Sequence, residues 1–128
     1  MSVRIVRLGS PRAEKEGARL GTVRRPPRGV PKKDFARLDW YDHWFPLLAP
    51  SATTMKVGQA VESEGQWKRF ARKYRAEMAA PAASQSLDVL AALSHQANFS
   101  VGCYCKNPAR CHRSLLRELL VERGAKLE

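Results

Sequence analysis

Apolar positions in this chain fall into short β-branched runs near the N-terminus and longer stretches with helical spacing further on. Residues 3–8, Val-Arg-Ile-Val-Arg-Leu, alternate imperfectly and predict a strand that Gly9 and Pro11 end. A second extended run covers 18–23. Pro26, Pro27, Gly29 and Pro31 then exclude regular structure. Residues 34–44 mix aromatic and charged side chains and read as a short helix or an irregular cover, broken by Pro46 and Pro50. Ser51 is placed to cap a helix over 52–59. Over 64–79, Trp67, Phe70, Tyr74 and Met78 recur at spacings of three and four and define one buried stripe. After Pro81, a helix is expected over 84–96, with Leu87, Leu90, Ala91 and Ser94 on one side. Residues 99–104 form a short apolar run suited to a buried strand. The last helix is expected to begin at Asn107 (N-cap) and Pro108 (first turn) and to run to about Arg123, with Gly124 closing it.

The order strand, strand, helices, strand, helix predicts an α/β fold: a small, mainly parallel central sheet flanked by helices, in a single three-layer domain over residues 1–128. The last strand is expected to pair in parallel with the first. No internal repeat or low-complexity tract interrupts this domain.

Composition narrows the function classes. A hydrophobic fraction of 44% over 128 residues is enough for one core. No window of eighteen apolar residues exists, which excludes a membrane span from the reading, and the N-terminus carries no secretory pattern. A cytoplasmic protein is the expectation. The three cysteines are clustered rather than spread as a disulfide framework, so reduced thiols are expected. The net charge of +11 favours polyanionic partners, either an anionic small molecule or nucleic acid; a basic solvated surface is the plain alternative. Lys68, Arg69, Arg72 and Arg75 lie mostly opposite the aromatic stripe, as a phosphate-binding face or as ordinary helix surface. The sequence does not fix an oligomeric state.

Chemistry concentrates in residues 99–113, Phe-Ser-Val-Gly-Cys-Tyr-Cys-Lys-Asn-Pro-Ala-Arg-Cys-His-Arg. Parallel strands deliver the chain to helix starts at such junctions, where backbone N–H groups and the helix dipole favour anions and lower thiol pKa values. His112 falls amid the apolar face of Leu115, Leu116, Leu119 and Leu120 and is expected to point inward, flanked by Cys111 and Arg113. Cys103 and Cys105 share one side of the preceding strand and are placed to converge with them. Cys111 and His112 are the candidate catalytic residues. Arg24, Arg28, Arg110, Arg113, Cys103 and Cys105 are the candidate ligand-binding residues. A carboxylate partner for His112 is sought in Asp39 or Asp42.

The run Cys103-Tyr-Cys-Lys-Asn-Pro-Ala-Arg-Cys-His-Arg-Ser-Leu-Leu115 resembles the C-terminal signature of the DUF488 family. Gly17-Ala-Arg19, Arg24 and Pro27-Arg28-Gly29 with Lys32 resemble its N-terminal arginine-rich motif, and Trp67-x-x-Phe70-x-x-x-Tyr74-x-x-Glu77 its central helix. The resemblance implies a compact α/β fold and, by position, a site drawn from Arg24, Arg28, Cys103, Cys105, Cys111, His112 and Arg113. It implies no particular reaction or cofactor. Val23 and Pro26 stand where the family motif often has Asp and Trp, so no carboxylate is supplied at that loop.

Three readings of the junction stay open. One is an enzyme acting on a nucleotide or other anionic substrate through Cys111 and His112. The second is a non-catalytic nucleic-acid-binding module that uses the basic surface. The third is a metal-binding protein. Its residue types suit zinc, but the Cys-x-Cys and Cys-His spacing matches no common zinc pattern, and adjacent Cys111 and His112 would diverge on a helix.

Overall fold

The computed structural model describes every residue except Lys106, Pro108 and Ala109. Its strands are β1 (Val3–Arg7), β2 (Ala18–Gly21), β3 (His43–Trp44) and β4 (Phe99–Cys103), and its helices are α1 (Ala52–Gln59), α2 (Glu64–Met78), α3 (Pro81–Leu93) and α4 (His112–Glu122). The strands form one parallel sheet in the order β1-β4-β2-β3. Val3 lies opposite Phe99 and Arg7 opposite Cys103 on one side of β4, while Ala18 and Gly21 lie opposite Phe99 and Gly102 on the other. β4 is thus central, and all five of its residues are buried.

The two faces of the sheet are filled differently. Val3, Phe99 and Val101, with Ile5 and Leu20, meet the apolar sides of the helices: Phe70, Tyr74 and Met78 of α2, Leu87 and Leu90 of α3, and Leu115, Leu116, Leu119 and Leu120 of α4. The Tyr74 hydroxyl, fully enclosed there, donates to the Leu48 carbonyl at 2.7 Å. On the opposite face the third layer is the chain between Ser10 and Gly17 together with residues 35–42. Gly21 is packed beneath the Tyr41 ring, and Arg19 reaches the backbone carbonyls of Ser10 and Asp39.

Local chemistry sets the boundaries. Ser51 caps α1, and Ser63 with Gln66 forms a reciprocal capping box at α2. Pro81 does not precede α3 but begins it, because proline fits the first helical position without loss of a hydrogen bond; α3 also ends at Leu93, before the expected Gln96. Where 34–44 was expected to form a short helix or irregular cover, a 3₁₀ turn over Lys32–Asp34 ends as the stretch begins and the two-residue strand β3 closes it. α4 begins at His112 with Cys111 as its N-cap, four residues later than Asn107 would have set; Pro108 lies outside the described residues. At its other end Gly124 takes φ +82, and the N–H groups of Gly124 and Ala125 close on the carbonyls of Val121 and Leu120.

Candidate functional site

β1, β2 and β4 all end at the same edge of the sheet, where ligands gather in open α/β folds. A cavity of about 1080 Å³ opens there. Arg7 and Leu8 border it at the end of β1, Val23 and Arg24 beyond β2, and Cys103 to Cys105 at the end of β4, with α1 contributing Met55 and Lys56. Its lining carries five cations, Arg7, Arg24, Arg25, Arg28 and Lys56, and no carboxylate among the described residues. Trp40 and Tyr104 supply an aromatic wall, their rings 5.8 Å apart and edge-on. A smaller cavity of about 300 Å³ lies at the other end of the strands, where Glu14, Glu16 and Glu128 balance Arg4 and Lys15.

Hydrogen bonds hold the proline-rich arginine loop against this space. Arg24 donates from Nε to the Pro50 carbonyl at 3.1 Å, which ties the loop to the start of α1. Glu77 of α2 accepts from the Ser51 N–H and from the Ser51 and Thr54 hydroxyls, fixing the same start from behind. Those hydrogen bonds keep the Glu77 carboxyl ionised below the ordinary range against the opposing effect of burial, with the Arg24 charge assisting. Tyr104 donates its hydroxyl to the Arg25 carbonyl at 2.9 Å, joining the loop to the end of β4.

Cys103, Cys105 and His112 line the cavity, and Cys111 lies immediately behind. The Cys103 and Cys111 sulfurs are 3.0 Å apart. As N-cap, Cys111 has extended backbone (φ −139, ψ 161), and its sulfur accepts the Arg113 N–H at 3.3 Å. Hydrogen bonds from Cys103 and Cys105 lower the Cys111 thiol strongly, outweighing burial, with His112 and the Arg113 N–H adding to the effect. The same contacts raise Cys103, whose proton is shared with Cys105 and Cys111, and burial raises it further. Cys105 feels a lowering contact from Cys103, but its hydrogen bond to Cys111 and its burial prevail and raise it.

His112 faces inward as the helix periodicity predicts. It is 3% exposed, stacks obliquely 5.6 Å from Tyr74, and donates from Nε2 to the Thr22 carbonyl at 2.8 Å. Burial lowers its pKa, so the ring is neutral at pH 7 with Nδ1 as its acceptor. The expected carboxylate partner is corrected: Asp39 and Asp42 both pair with Arg12, and a backbone carbonyl orients the histidine instead.

The remaining sequence candidates divide. Arg24 and Arg28 face the cavity. Arg113 is buried, its guanidinium on the Cys105 carbonyl and against the Cys111 sulfur, so it braces the thiols. Arg110 stands outside, paired with Glu64 at 3.1 Å and 5.7 Å over the Trp67 ring. Of the helix-face cations, Arg75 is engaged by Glu118 and Glu122, whereas Lys68, Arg69 and Arg72 are exposed. Sequence reasoning missed Arg7 and Lys56, together with the Trp40 and Tyr104 wall. Arg7 and Tyr104 could have been found from their places at the C-terminal ends of the two parallel strands. Lys56 carried no such signal, because only tertiary packing brings α1 to the cavity.

No helix among the described residues is long and apolar enough to cross a membrane. No curated protein and no solved structure matches the chain. The family model described as "Active DUF488-N3 subclade" matches residues 3–124, from β1 through the glycine that closes α4. The cysteine–histidine junction, the arginine loop and the helix that fixes them are thus one matched unit, and the chain belongs to the DUF488 family.

Proposed function

We propose that this DUF488 protein is an enzyme that takes a nucleotide or other anionic substrate into the basic cavity and acts on it with the Cys/His group at the cavity floor, turnover depending on Cys111 and His112. The carrying observation is the lining: among the described residues, five cations and no carboxylate, beside Cys103, Cys105 and His112. Clustered cations around a concave space favour phosphate or carboxylate groups, and the Trp40–Tyr104 wall offers a flat apolar surface to the rest of the molecule. The word "Active" in the description of the matched subclade agrees with catalysis.

The non-catalytic nucleic-acid reading shares the arginine loop over 24–33 and adds the basic face of α2. The cations of α2 do not line the cavity, and Arg75 is already paired with Glu118 and Glu122. Calorimetric titration separates the two. A nucleoside triphosphate and inorganic phosphate are expected to bind, with the unphosphorylated nucleoside at least about tenfold weaker. Arg24→Gln with Arg28→Gln lowers phosphate affinity about tenfold, while Lys68→Gln with Arg69→Gln leaves it within about twofold. Cys111→Ser keeps phosphate binding and loses turnover of the substrate class that binds. Equal affinity for the uncharged nucleoside, or loss of binding only on neutralising the α2 face, would overturn the reading.

A further inference from the structure

Three sulfurs and an imidazole converge where β4 ends and α4 begins. One ligand atom each from Cys103, Cys111 and His112 lies within 4.8 Å of the others, and all three residues are buried. Cys105 packs against the cluster that holds Cys103 and Cys111 and lines the cavity with Cys103, so a fourth donor stands beside them. The sequence objection to a metal was that adjacent Cys111 and His112 diverge on a helix. That objection does not apply, because Cys111 is the extended N-cap and only His112 is helical.

The surroundings match those of a metal ligand set. His112 donates its Nε2–H to the Thr22 carbonyl, which fixes the tautomer and leaves Nδ1 as the coordinating lone pair. The Cys111 sulfur receives the N–H of Arg113 and faces its guanidinium Nε at 3.5 Å, contacts that stabilise a bound thiolate. Three thiols packed into one cluster cannot all ionise without a compensating charge, and a dication supplies it. Sulfur and imidazole donors in a set of four select a tetrahedral, borderline-soft ion over magnesium or calcium.

We propose that Cys103, Cys105, Cys111 and His112 form a Cys₃His site for a divalent transition metal, zinc foremost. Zinc–sulfur bonds of about 2.3 Å set a tetrahedral edge near 3.7 Å. Loading therefore spreads the Cys103–Cys111 pair from 3.0 Å by less than about 1 Å, which Cys105 and Cys111, both outside regular elements, can accommodate. The ion replaces the thiol protons, so uptake releases protons to solvent. In the loaded protein Cys111 is a ligand, and its requirement for turnover follows from holding the ion.

The test uses the full chain purified without chelator or added metal. About one equivalent of zinc is expected by elemental analysis after gel filtration. Exchange with cobalt(II) should give intense visible bands of a tetrahedral ion with thiolate charge-transfer absorption. Cys105→Ser and Cys111→Ser should each weaken zinc at least about tenfold against a chromophoric chelator. Because a variant can fail to fold, the wild-type chain is also stripped, reduced and titrated with zinc, with proton release recorded. Less than about a tenth of an equivalent as purified, with no uptake on titration, overturns the proposal, as does a Cys103–Cys111 disulfide that yields no zinc-binding protein on reduction. Phosphate titration of the same samples reports on the basic cavity separately, so failure of one proposal does not masquerade as failure of the other.

Discussion

Arg19 has no exposed surface, and its charge is paired with the Glu16 carboxylate. Its Nε and Nη2 meet the two oxygens of Glu16 at 2.8 and 3.0 Å, and the Ser100 hydroxyl and Ala13 N–H complete the carboxylate's partners. Burial alone would raise the Glu16 pKa, but the hydrogen bonds from Arg19, Ser100 and Ala13 bring it from 4.5 down to about 2. A carboxyl depressed in the folded state stabilises the fold above its unfolded pKa and loses that contribution as pH falls through the folded value. Urea unfolding should therefore show on the order of 3 kcal/mol of stability at neutral pH that disappears between about pH 4.5 and pH 2. Glu16→Gln should remove this acid slope and leave Arg19 as a buried, uncompensated cation, at a cost of about 3–5 kcal/mol. The motif around Gly17 and Arg19 was visible in the sequence, but the burial of its charges was not. Their partners Asp39 and Ser100 come from segments well apart from them in the chain, and a polar run between two strands carries no mark of those contacts.

Elements were legible where periodicity and caps agree. α1 starts and ends where Ser51 and its apolar positions place it, and α2 differs by a single residue at its end. β1, β2 and β4 carry short β-branched or apolar runs, and the parallel pairing of first and last strands follows from the helices between them. β3 was not legible, because two exposed residues have no alternation to read. The start of α4 was misplaced because Asn107-Pro108 carries the common helix-start pattern, whereas the N-cap of α4 is a cysteine, whose sulfur takes an N–H that oxygen ordinarily takes. One glycine shows how tightly β4 is held. A Cβ at Gly102 would lie 2.4 Å from the Val6 carbonyl oxygen and 2.9 Å from its side chain, so backbone as well as side chain must yield. Gly102→Ala should cost about 3 kcal/mol by thermal or denaturant unfolding. Gly65→Ala, with nothing near its Cβ, should stabilise α2 slightly.

At the scale of the molecule, charge and topology act at the same edge. The +11 charge is general, whereas the cavity concentrates five cations at the C-terminal ends of the strands, so a bound anion should feel both the nearby groups and the wider field. Raising salt should weaken nucleoside triphosphate more steeply than inorganic phosphate, because the larger anion engages more cations; equal slopes would mean that one or two arginines do all the holding. The sequence identified the strand-to-helix junction and the arginine loop as partners, but not the cavity they share, since its walls come from segments far apart in the chain. The same topology governs the order of assembly during synthesis. β1 and β2 emerge early yet never touch; the strand that joins them arrives only with residues 99–103. Until those residues are made, β2 can pair only with β3, and the edge that carries the cysteines and the histidine takes shape only once β4 has slotted between its two neighbours.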